Sequence, residues 1–354
     1  MNCYALKHID LSMLNFCKIQ IANMENMFYD CIALEKIDGL NGFNTNNVTN
    51  MSYMFYNCSA LNTIDLHNLD TSKVTNMEHM FESCNNLLQI IGLDNFNTSN
   101  VTNMESMFSE CSSLKELNLK NFNTSKVTNM GNMFYLCSSL KVLDINNFNT
   151  SNVNKMCFMF SRCSSLENIS VDKIKTNNVT DMRLMFNECS SLQELNIKNF
   201  DTGNVVYMSN MFSGCSSLKE LDLSSFTIKN IEEKYKTIGT MFSECSNLKI
   251  LYINKFIIED KVQQKEEEYL PLFKTCEKLT WIIVSKDNKN SKFLTFLREN
   301  FKTNKNIPFA SWKDDPEIKT DDVSKSLFID REKEKENTAP KKTYDDENSE
   351  ESDD

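Results

Sequence analysis

Apolar residues recur along most of this chain in a pattern that repeats about every 26 residues. One part of each unit reads L-x-x-L-x-L, as in residues 114–119, where apolar and polar positions alternate at the end of the segment. Alternation with a period of two predicts a short β-strand that buries one face. We predict eleven strands, which start at Leu6, Leu34, Leu61, Leu87, Leu114, Leu140, Leu166, Leu192, Leu218, Leu248 and Leu279.

The other part of each unit reads V-T-N-M-x-x-M-F-x-x-C, as in residues 101–111. Its apolar residues lie at i, i+3, i+4 and i+7, which is the spacing of one face of a short helix. Thr102 and Glu105 have the spacing of a helix capping box, as do Thr75 and Glu78. We therefore predict one short helix in each unit, which starts near the threonine and ends near the cysteine.

Repetition at this period predicts a solenoid, because one unit cannot bury its apolar face without neighbouring units. Strand and helix in every unit predict the α/β class, with the strands paired in one parallel sheet and the helices on the opposite side. Two early units each contain one extra glycine, Gly39 and Gly92. A single glycine inserted in a strand pattern predicts a β-bulge.

The extent of the periodic region sets the domain organisation. We expect residues 1–284 to form the solenoid, with about ten coils that are degenerate at both ends. Residues 285–312 include an amphipathic segment, residues 291–301, which predicts a helix that caps the end of the stack. Residues 313–354 are rich in charge and poor in large apolar side chains, so we expect a disordered acidic tail.

Ten of the 13 cysteines occupy one repeat position, with steps of 26 to 31 residues between them. This spacing indicates a column of buried thiols that pack as small apolar side chains, rather than a set of disulfides. No C-x-x-C pair occurs, so a zinc ribbon is not indicated. The ten are Cys31, Cys58, Cys84, Cys111, Cys137, Cys163, Cys189, Cys215, Cys245 and Cys276.

The net charge of −11 is distributed unevenly. Residues 313–354 hold 16 acidic and 8 basic residues, a balance of −8, which leaves only −3 for the first 312 residues. A nearly neutral body with an acidic tail argues against nucleic-acid binding, which requires a basic face. The N-terminus does not have the pattern of a signal peptide. The sequence contains no apolar stretch of about 18 residues, so no membrane span is predicted.

The sequence contains no recognisable catalytic or metal-binding pattern. The three histidines, His8, His67 and His79, have no cysteine or carboxylate partner at the spacing of a nucleophile or a metal site. No phosphate loop, H-E-x-x-H or G-x-S-x-G motif occurs. We therefore expect no catalytic residue, no cofactor and no metal; an enzyme is kept as a third hypothesis, to be tested with a hydrolase screen.

The outward strand positions are the candidate partner-binding residues. A middle column is acidic or amide-rich along most of the sheet and then becomes apolar, as does the end of the neighbouring column. The apolar end is either a binding hot spot or is covered by the helix predicted at residues 291–301. The candidates are Asp38, Asp65, Asn118, Asp144, Asn196 and Asp222 in the polar part, and Ile250, Tyr252, Trp281 and Ile283 in the apolar patch.

The repeat F-N-T-S-N-V-T-N-M-x-x-M-F-x-x-C-S-S-L-K-x-L-x-L closely resembles that of the BspA-like leucine-rich-repeat surface proteins, over about residues 6–284. The resemblance implies a leucine-rich-repeat solenoid: a right-handed stack with about eleven parallel strands on the concave face and short helices on the convex face. It also implies roles in surface attachment and protein–protein contact, without enzyme activity.

The functional hypothesis is a non-catalytic, monomeric repeat scaffold that binds a protein partner through its concave sheet. By resemblance it is an adhesin-like protein at the cell surface. The alternative is an intracellular, cytoplasmic adaptor, which the missing signal peptide, the free thiols and the acidic tail favour.

Overall fold

The structure is a computed structural model, and it describes residues 3–13, 20–228, 240–253, 257–258, 273 and 275–283. These residues form a stack of coils joined by parallel strand pairs. In chain order the strands are β1 (His8–Asp10), β2 (Lys36–Asp38), β3 (Thr63–Asp65), β4 (Gln89–Ile91), β5 (Val142–Asp144), β6 (Asn168–Ser170), β7 (Glu220–Asp222), β8 (Thr227–Ile228), β9 (Ile250–Tyr252), β10 (Ile257–Ile258) and β11 (Trp281–Ile283).

Nine of the eleven predicted strand positions carry a three-residue strand, and β8 and β10 are an additional two-residue pair. The segments that follow Leu114 and Leu192 are not strands, so the prediction of a strand in every unit is wrong at these two positions. A second ladder of parallel bridges runs through both of these coils, from Asn23 to Tyr207. Because that ladder holds neighbouring coils together, the stack does not depend on the missing strands.

The strands pair in parallel, each with the strand of a neighbouring coil. β1 pairs with β2, β3 with β4 and β5 with β6, while β7, β9 and β11 form a three-stranded sheet. In every pair the register joins equivalent repeat positions, as where Leu143 meets Ile169. The predicted parallel solenoid is therefore confirmed in its main feature.

The predicted helices are wrong. Each M-x-x-M-F-x-x-C segment is a succession of turns, and the described part of the chain has no α-helix. The N–H groups of Met104, Ser106 and Phe108 donate to carbonyls of the next coil at 3.1, 2.9 and 3.0 Å. The N–H groups of Met107 and Ser109 donate three residues back in their own coil, at 3.3 and 3.0 Å. An α-helix that starts near Thr102 would direct the N–H groups from Ser106 onward into its own segment, and their bonds to the next coil would be lost.

Residues in the left-handed backbone conformation produce these turns. Ser106 and Glu110 have φ angles of 54° and 60°, and most of the described turn segments have residues with positive φ at the same two positions. The turns place side chains spaced by three and four residues on the inside, as a helix also would. The apolar spacing therefore fits both structures.

The two predicted capping boxes do not form. The Thr102 hydroxyl donates to the Thr75 carbonyl of the preceding coil at 3.1 Å, and Glu105 accepts from the Asn129 amide of the following coil at 2.6 Å. Thr75 and Glu78 follow the same arrangement, with Thr75 donating to Thr49 and Glu78 accepting from Asn103. These side chains link neighbouring coils instead of capping the start of a helix.

The two extra glycines lie just after strands rather than inside them. Gly39 and Gly92 both have a φ of 83°, and each precedes a one-turn 3-10 helix, Leu40–Gly42 or Leu93–Asn95. A Cβ atom at Gly92 would lie only 2.5 Å from the Cα of His67. The insertion was located correctly, but it forms a tight left-handed turn and not a bulge within the strand.

The interior is a set of side-chain ladders with one member per coil. The phenylalanines of the M-F pairs stack with ring centroids 5.4 to 5.9 Å apart and planes within 17° of parallel. The predicted thiol column is confirmed, and its cysteines are buried. The stacked rings are Phe28, Phe55, Phe81, Phe108, Phe134, Phe160, Phe186, Phe212, Phe242 and Phe273.

The solenoid lies within the unit Met1–Ala310. The capping helix predicted at residues 291–301 and the tail predicted at residues 313–354 lie outside the described residues. The described residues include no helix with the length and apolarity needed to cross a membrane.

Candidate functional site

The asparagine and aspartate residues of the repeat occupy three corners of the coil. At each corner a side-chain Oδ1 accepts a hydrogen bond from the backbone N–H two residues later, which is an Asx turn. Asn103, Asn123 and Asp144 represent the three corners, with distances of 3.1, 3.1 and 3.0 Å. These residue types recur because they turn the chain, so their recurrence carries no information about a partner.

The predicted polar column on the strand face forms one of these corners. Asp38 is an exception, because its Oδ2 lies 2.7 Å from both Lys36 Nζ and His8 Nε2. These two hydrogen bonds lower the pKa of Asp38. The binding role of the column stays a prediction. Its other members bond the backbone N–H two residues later: Asp65 at 3.0 Å, Asn118 at 3.5 Å, Asp144 at 3.0 Å, Asn196 at 3.5 Å and Asp222 at 2.9 Å.

The strand register brings the predicted apolar patch together. Trp281 pairs with Ile250, and Ile283 pairs with Tyr252. Ile250 is only 4% exposed, whereas the equivalent residue of β5, Val142, is 58% exposed. Ile250 is therefore not available at the surface, and Tyr252 is half-buried. The residues predicted to cover the patch lie outside the described part of the chain, so the choice between a hot spot and a covered surface stays open.

The thiols of the column have low chemical reactivity. Each thiol of the column from Cys58 to Cys276 donates to the phenylalanine carbonyl of the preceding coil, as Cys137 Sγ does to Phe108 O at 3.1 Å. Burial raises the pKa of Cys84 and of Cys163 to about 12. Thiolates are the reactive form of cysteine, so these side chains are poor nucleophiles. No group of three or more His, Cys, Asp or Glu side chains is placed to hold a metal ion in the described residues.

An aromatic cluster that the sequence analysis missed lies on the turn segments of the early coils. Tyr29 stacks on Tyr56 with centroids 4.8 Å apart, and Tyr53 stacks on His79 at 4.5 Å. The two pairs are in contact, because Tyr53 and Tyr56 lie 5.7 Å apart. All four side chains are half-buried. We call these four residues the aromatic patch.

Carboxylates surround the aromatic patch. Glu82 forms an ion pair with His79 Nδ1. Burial lowers the pKa of His79, but the hydrogen bond and charge of Glu82, followed by the charges of Glu105 and Glu78, outweigh burial and raise it overall. Burial and then the charges of Glu78, Glu82 and Glu105 raise the pKa of Tyr53. The patch therefore lies in a negative potential.

Aligning the turn segments coil by coil would have revealed the patch. Its members occupy two outward positions of M-x-x-M-F-x-x-C, where other coils carry residues such as Ser106, Ser109 and Asn132. The apolar periodicity does not identify these positions, because their residues are not part of the repeated apolar set. Their proximity also depends on the inter-coil stacking, which only the structure supplies.

Later coils carry two other features on the same segments. Arg183 forms an ion pair with Asp181 at 2.6 Å, and its guanidinium lies 4.9 Å from the ring centroid of Tyr207. The second feature is an open groove of about 560 Å³. Its serine hydroxyls largely donate to backbone carbonyls of neighbouring coils, as Ser190 Oγ does to Ser164 O. The groove is lined by Ser164, Glu188, Ser190, Gly214, Ser216, Glu244, Ser246, Thr275 and Glu277.

Comparison with protein families matches the sequence to a model described as "Mycoplasma protein of unknown function, DUF285". The model matches three times, at residues 4–114, 86–172 and 167–280. The chain belongs to the DUF285 family. The three matches cover the coils of this DUF285 protein from the first strand to the thiol column's last member, Cys276. No curated protein matches the chain.

Proposed function

We propose that this DUF285 protein is a non-catalytic repeat scaffold that binds other proteins through side chains on the outside of its coils. One observation supports this function above the others: recurring residues serve the fold, whereas variable residues face outward. In the coil from Asn123 to Phe148, the recurring Thr124 and Cys137 bond neighbouring coils. The variable Lys141 and Val142 are exposed at the start of β5. A regular scaffold with variable exposed columns is the usual binding surface of solenoid proteins.

Attachment at the cell surface is the role that we propose first, in line with the resemblance to BspA-like surface proteins. An intracellular adaptor is the second candidate, and one structural observation favours it. Twelve cysteines in the described part of the chain are unpaired, which is typical of proteins kept in a reducing compartment. Protease treatment of intact cells separates the two, because only a surface protein is digested.

The binding function is tested by capture with groups of variants. The full chain is immobilised, and retained proteins are identified for the wild type and for variants grouped by face. One group replaces exposed residues at the predicted strand positions, Glu116→Ala, Val142→Ala and Glu194→Ala; a second replaces the predicted patch, Tyr252→Ala and Trp281→Ala. A defined partner that one group loses and another group retains supports the proposal. Retention that no surface substitution changes, or no retention beyond that by the unfolded chain, contradicts it.

A further inference from the structure

We propose that the aromatic patch and the carboxylates around it bind a cationic segment of a partner protein, rich in arginine and lysine. The inference rests on the proposed function, and it adds the surface and the chemistry of the partner. This surface belongs to the turn segments and is separate from the predicted strand face.

The fold does not require aromatic side chains at these positions. Tyr53 and His79 have φ angles of 56° and 54°, in the left-handed region, and the equivalent residues Asn132 and Asn210 are asparagines. Asparagine adopts this conformation more readily than bulky residues do. Tyr53 therefore occupies a position where a smaller polar residue would suit the backbone better.

The charge of this surface is strongly one-sided. The four turn segments at residues 23–31, 50–58, 76–84 and 103–111 contain no lysine or arginine. The next segment, residues 129–137, has no charged residue, and the two segments after it contain Lys155, Arg162 and Arg183. The acidic surface without lysine or arginine therefore extends over the three coils that carry the aromatic patch and the one coil that follows them. Its six carboxylates are Glu25, Asp30, Glu78, Glu82, Glu105 and Glu110.

Several of these carboxylates lie close enough to act on the rings. The charges of Glu82, Asp30 and Glu110 raise the pKa of Tyr56, after the larger effect of burial. Asp30 and Glu110 are held by side chains of neighbouring coils, Asn57 Nδ2 at 2.8 Å and Ser83 Oγ at 3.0 Å. Their positions are therefore fixed before a ligand arrives.

Arginine and lysine fit this combination better than other side chains do. A guanidinium stacks on an aromatic ring and at the same time donates to a carboxylate. An acidic segment would be repelled, and a neutral apolar segment would leave the carboxylates desolvated without partners. The complementarity of charge therefore selects a cationic segment as the occupant.

The test measures the affinity of labelled peptides for the full chain by fluorescence anisotropy. The probe is a 12-residue peptide of alternating arginine and glycine, compared with glutamine–glycine and glutamate–glycine peptides of the same length. The first variant is the triple Glu78→Gln, Glu82→Gln and Glu105→Gln. The second is Tyr53→Asn with Tyr56→Ser, which introduces residues that other coils carry at these positions.

A matched control removes the same charge elsewhere. Glu116→Gln, Glu194→Gln and Glu277→Gln change three exposed carboxylates outside the patch. We expect the arginine peptide alone to bind, with affinity that falls as salt is raised. The triple patch variant should weaken binding about tenfold and the tyrosine variant about fivefold, while the control changes it less than about twofold. Urea midpoints verify that all variants are folded.

Four results would overturn the inference: no binding of the arginine peptide, equal binding of the glutamine peptide, equal weakening in the control, or unchanged affinity in both patch variants. Self-association lost in the triple patch variant would instead assign the patch to a second copy of this chain. If the peptide fails but a captured partner still depends on the strand-face residues, the inference fails and the proposed function stands.

Discussion

Several residue types in this protein have structural roles that the residue type alone does not suggest. Cysteine donates a hydrogen bond to the backbone of the preceding coil, buried threonine links neighbouring coils, and asparagine forms turns. The sequence identified the cysteine column as buried packing, which is correct, but it did not show that Cys137 Sγ bonds Phe108 O. It predicted capping for Thr102, whose hydroxyl instead donates to Thr75 O. Residue spacing along the chain cannot reveal a partner 26 residues away.

The thiol column should resist alkylation in the folded protein. Burial raises the pKa of Cys84 and Cys163 to about 12, so the thiolate fraction at about pH 8 is far below that of a free cysteine with a pKa of about 8.5. We expect mass spectrometry after iodoacetamide treatment to find these two cysteines unlabelled until urea unfolds the chain. The half-buried Cys3 is the comparison and should react first. Rapid labelling of the column in the folded state would contradict this expectation.

The ion pair between His79 and Glu82 should make stability depend on pH. The pKa of His79 is raised in the folded protein, so the folded state holds this proton more tightly than the unfolded chain does. The stabilisation is complete below the unfolded pKa of about 6.5 and is lost as pH rises through the higher folded pKa.

Thermal melting across this range tests the pair. The advantage of the wild type over His79→Gln should shrink as pH rises from about 6 to 9. The same comparison in a Glu82→Gln background serves as the control and should show a smaller trend, because the acidic partner that contributes most to raising the pKa of His79 is gone. An advantage that is constant or grows with pH would rule out the assigned ion pair.

At the scale of elements, strand positions were predictable and the turn segments were not. Alternation of apolar residues marked nine strands correctly, because a period of two fits few other structures. The spacing of Met104, Met107 and Phe108 fits a helix and also a chain of turns with left-handed residues. The choice is made by hydrogen bonds to the next coil, such as Met104 N to Asn129 O, and no local pattern encodes them.

The buried threonine of the F-N-T segment forms hydrogen bonds that connect one coil to the next. Thr98 donates to Asn123 O at 3.0 Å and accepts from Asn123 N at 2.7 Å. Thr98→Val keeps the shape but leaves both backbone groups of Asn123 without this partner. We expect the free energy of unfolding to fall by about 2–4 kcal/mol. Urea unfolding measures the change.

Thr102→Val is the matched control for this experiment. Thr102 also donates to a carbonyl of the preceding coil, at 3.1 Å, but its side chain is exposed. Water replaces the lost hydroxyl there, so we expect a change of less than about 1 kcal/mol. Equal effects of the two substitutions would mean that burial of the threonine ladder is not what stabilises the coil.

The described coils form a one-dimensional stack, in which each coil contacts its neighbours through the same ladders. Phe134 stacks between Phe108 and Phe160, and Cys137 and Cys163 bond equivalent carbonyls one coil apart. Equivalent interfaces make one internal coil interchangeable with another. Stability should therefore vary with the number of coils.

Removal of one complete coil should leave a folded protein. Deleting the 26 residues 123–148 joins Phe122 to Asn149 and restores the repeat pattern. We expect cooperative unfolding with a urea m-value reduced by about a tenth, because one of about ten coils is missing. Deleting only residues 123–135 shifts every ladder out of register and should abolish folding, as circular dichroism would show. A folded half-coil deletion would refute the register requirement.

The sequence by itself determined the period, the stack, the parallel pairing of equivalent positions and the buried thiol column. These follow from which residues are apolar and how often they recur, and that information is local. The tertiary structure decided that the turn segments are not helices, that Thr98 and Cys137 bond adjacent coils, and that Tyr29, Tyr53, Tyr56 and His79 meet. Each of these depends on contacts between residues about 26 positions apart, which exist only once the coils are stacked at the spacing of a parallel ladder.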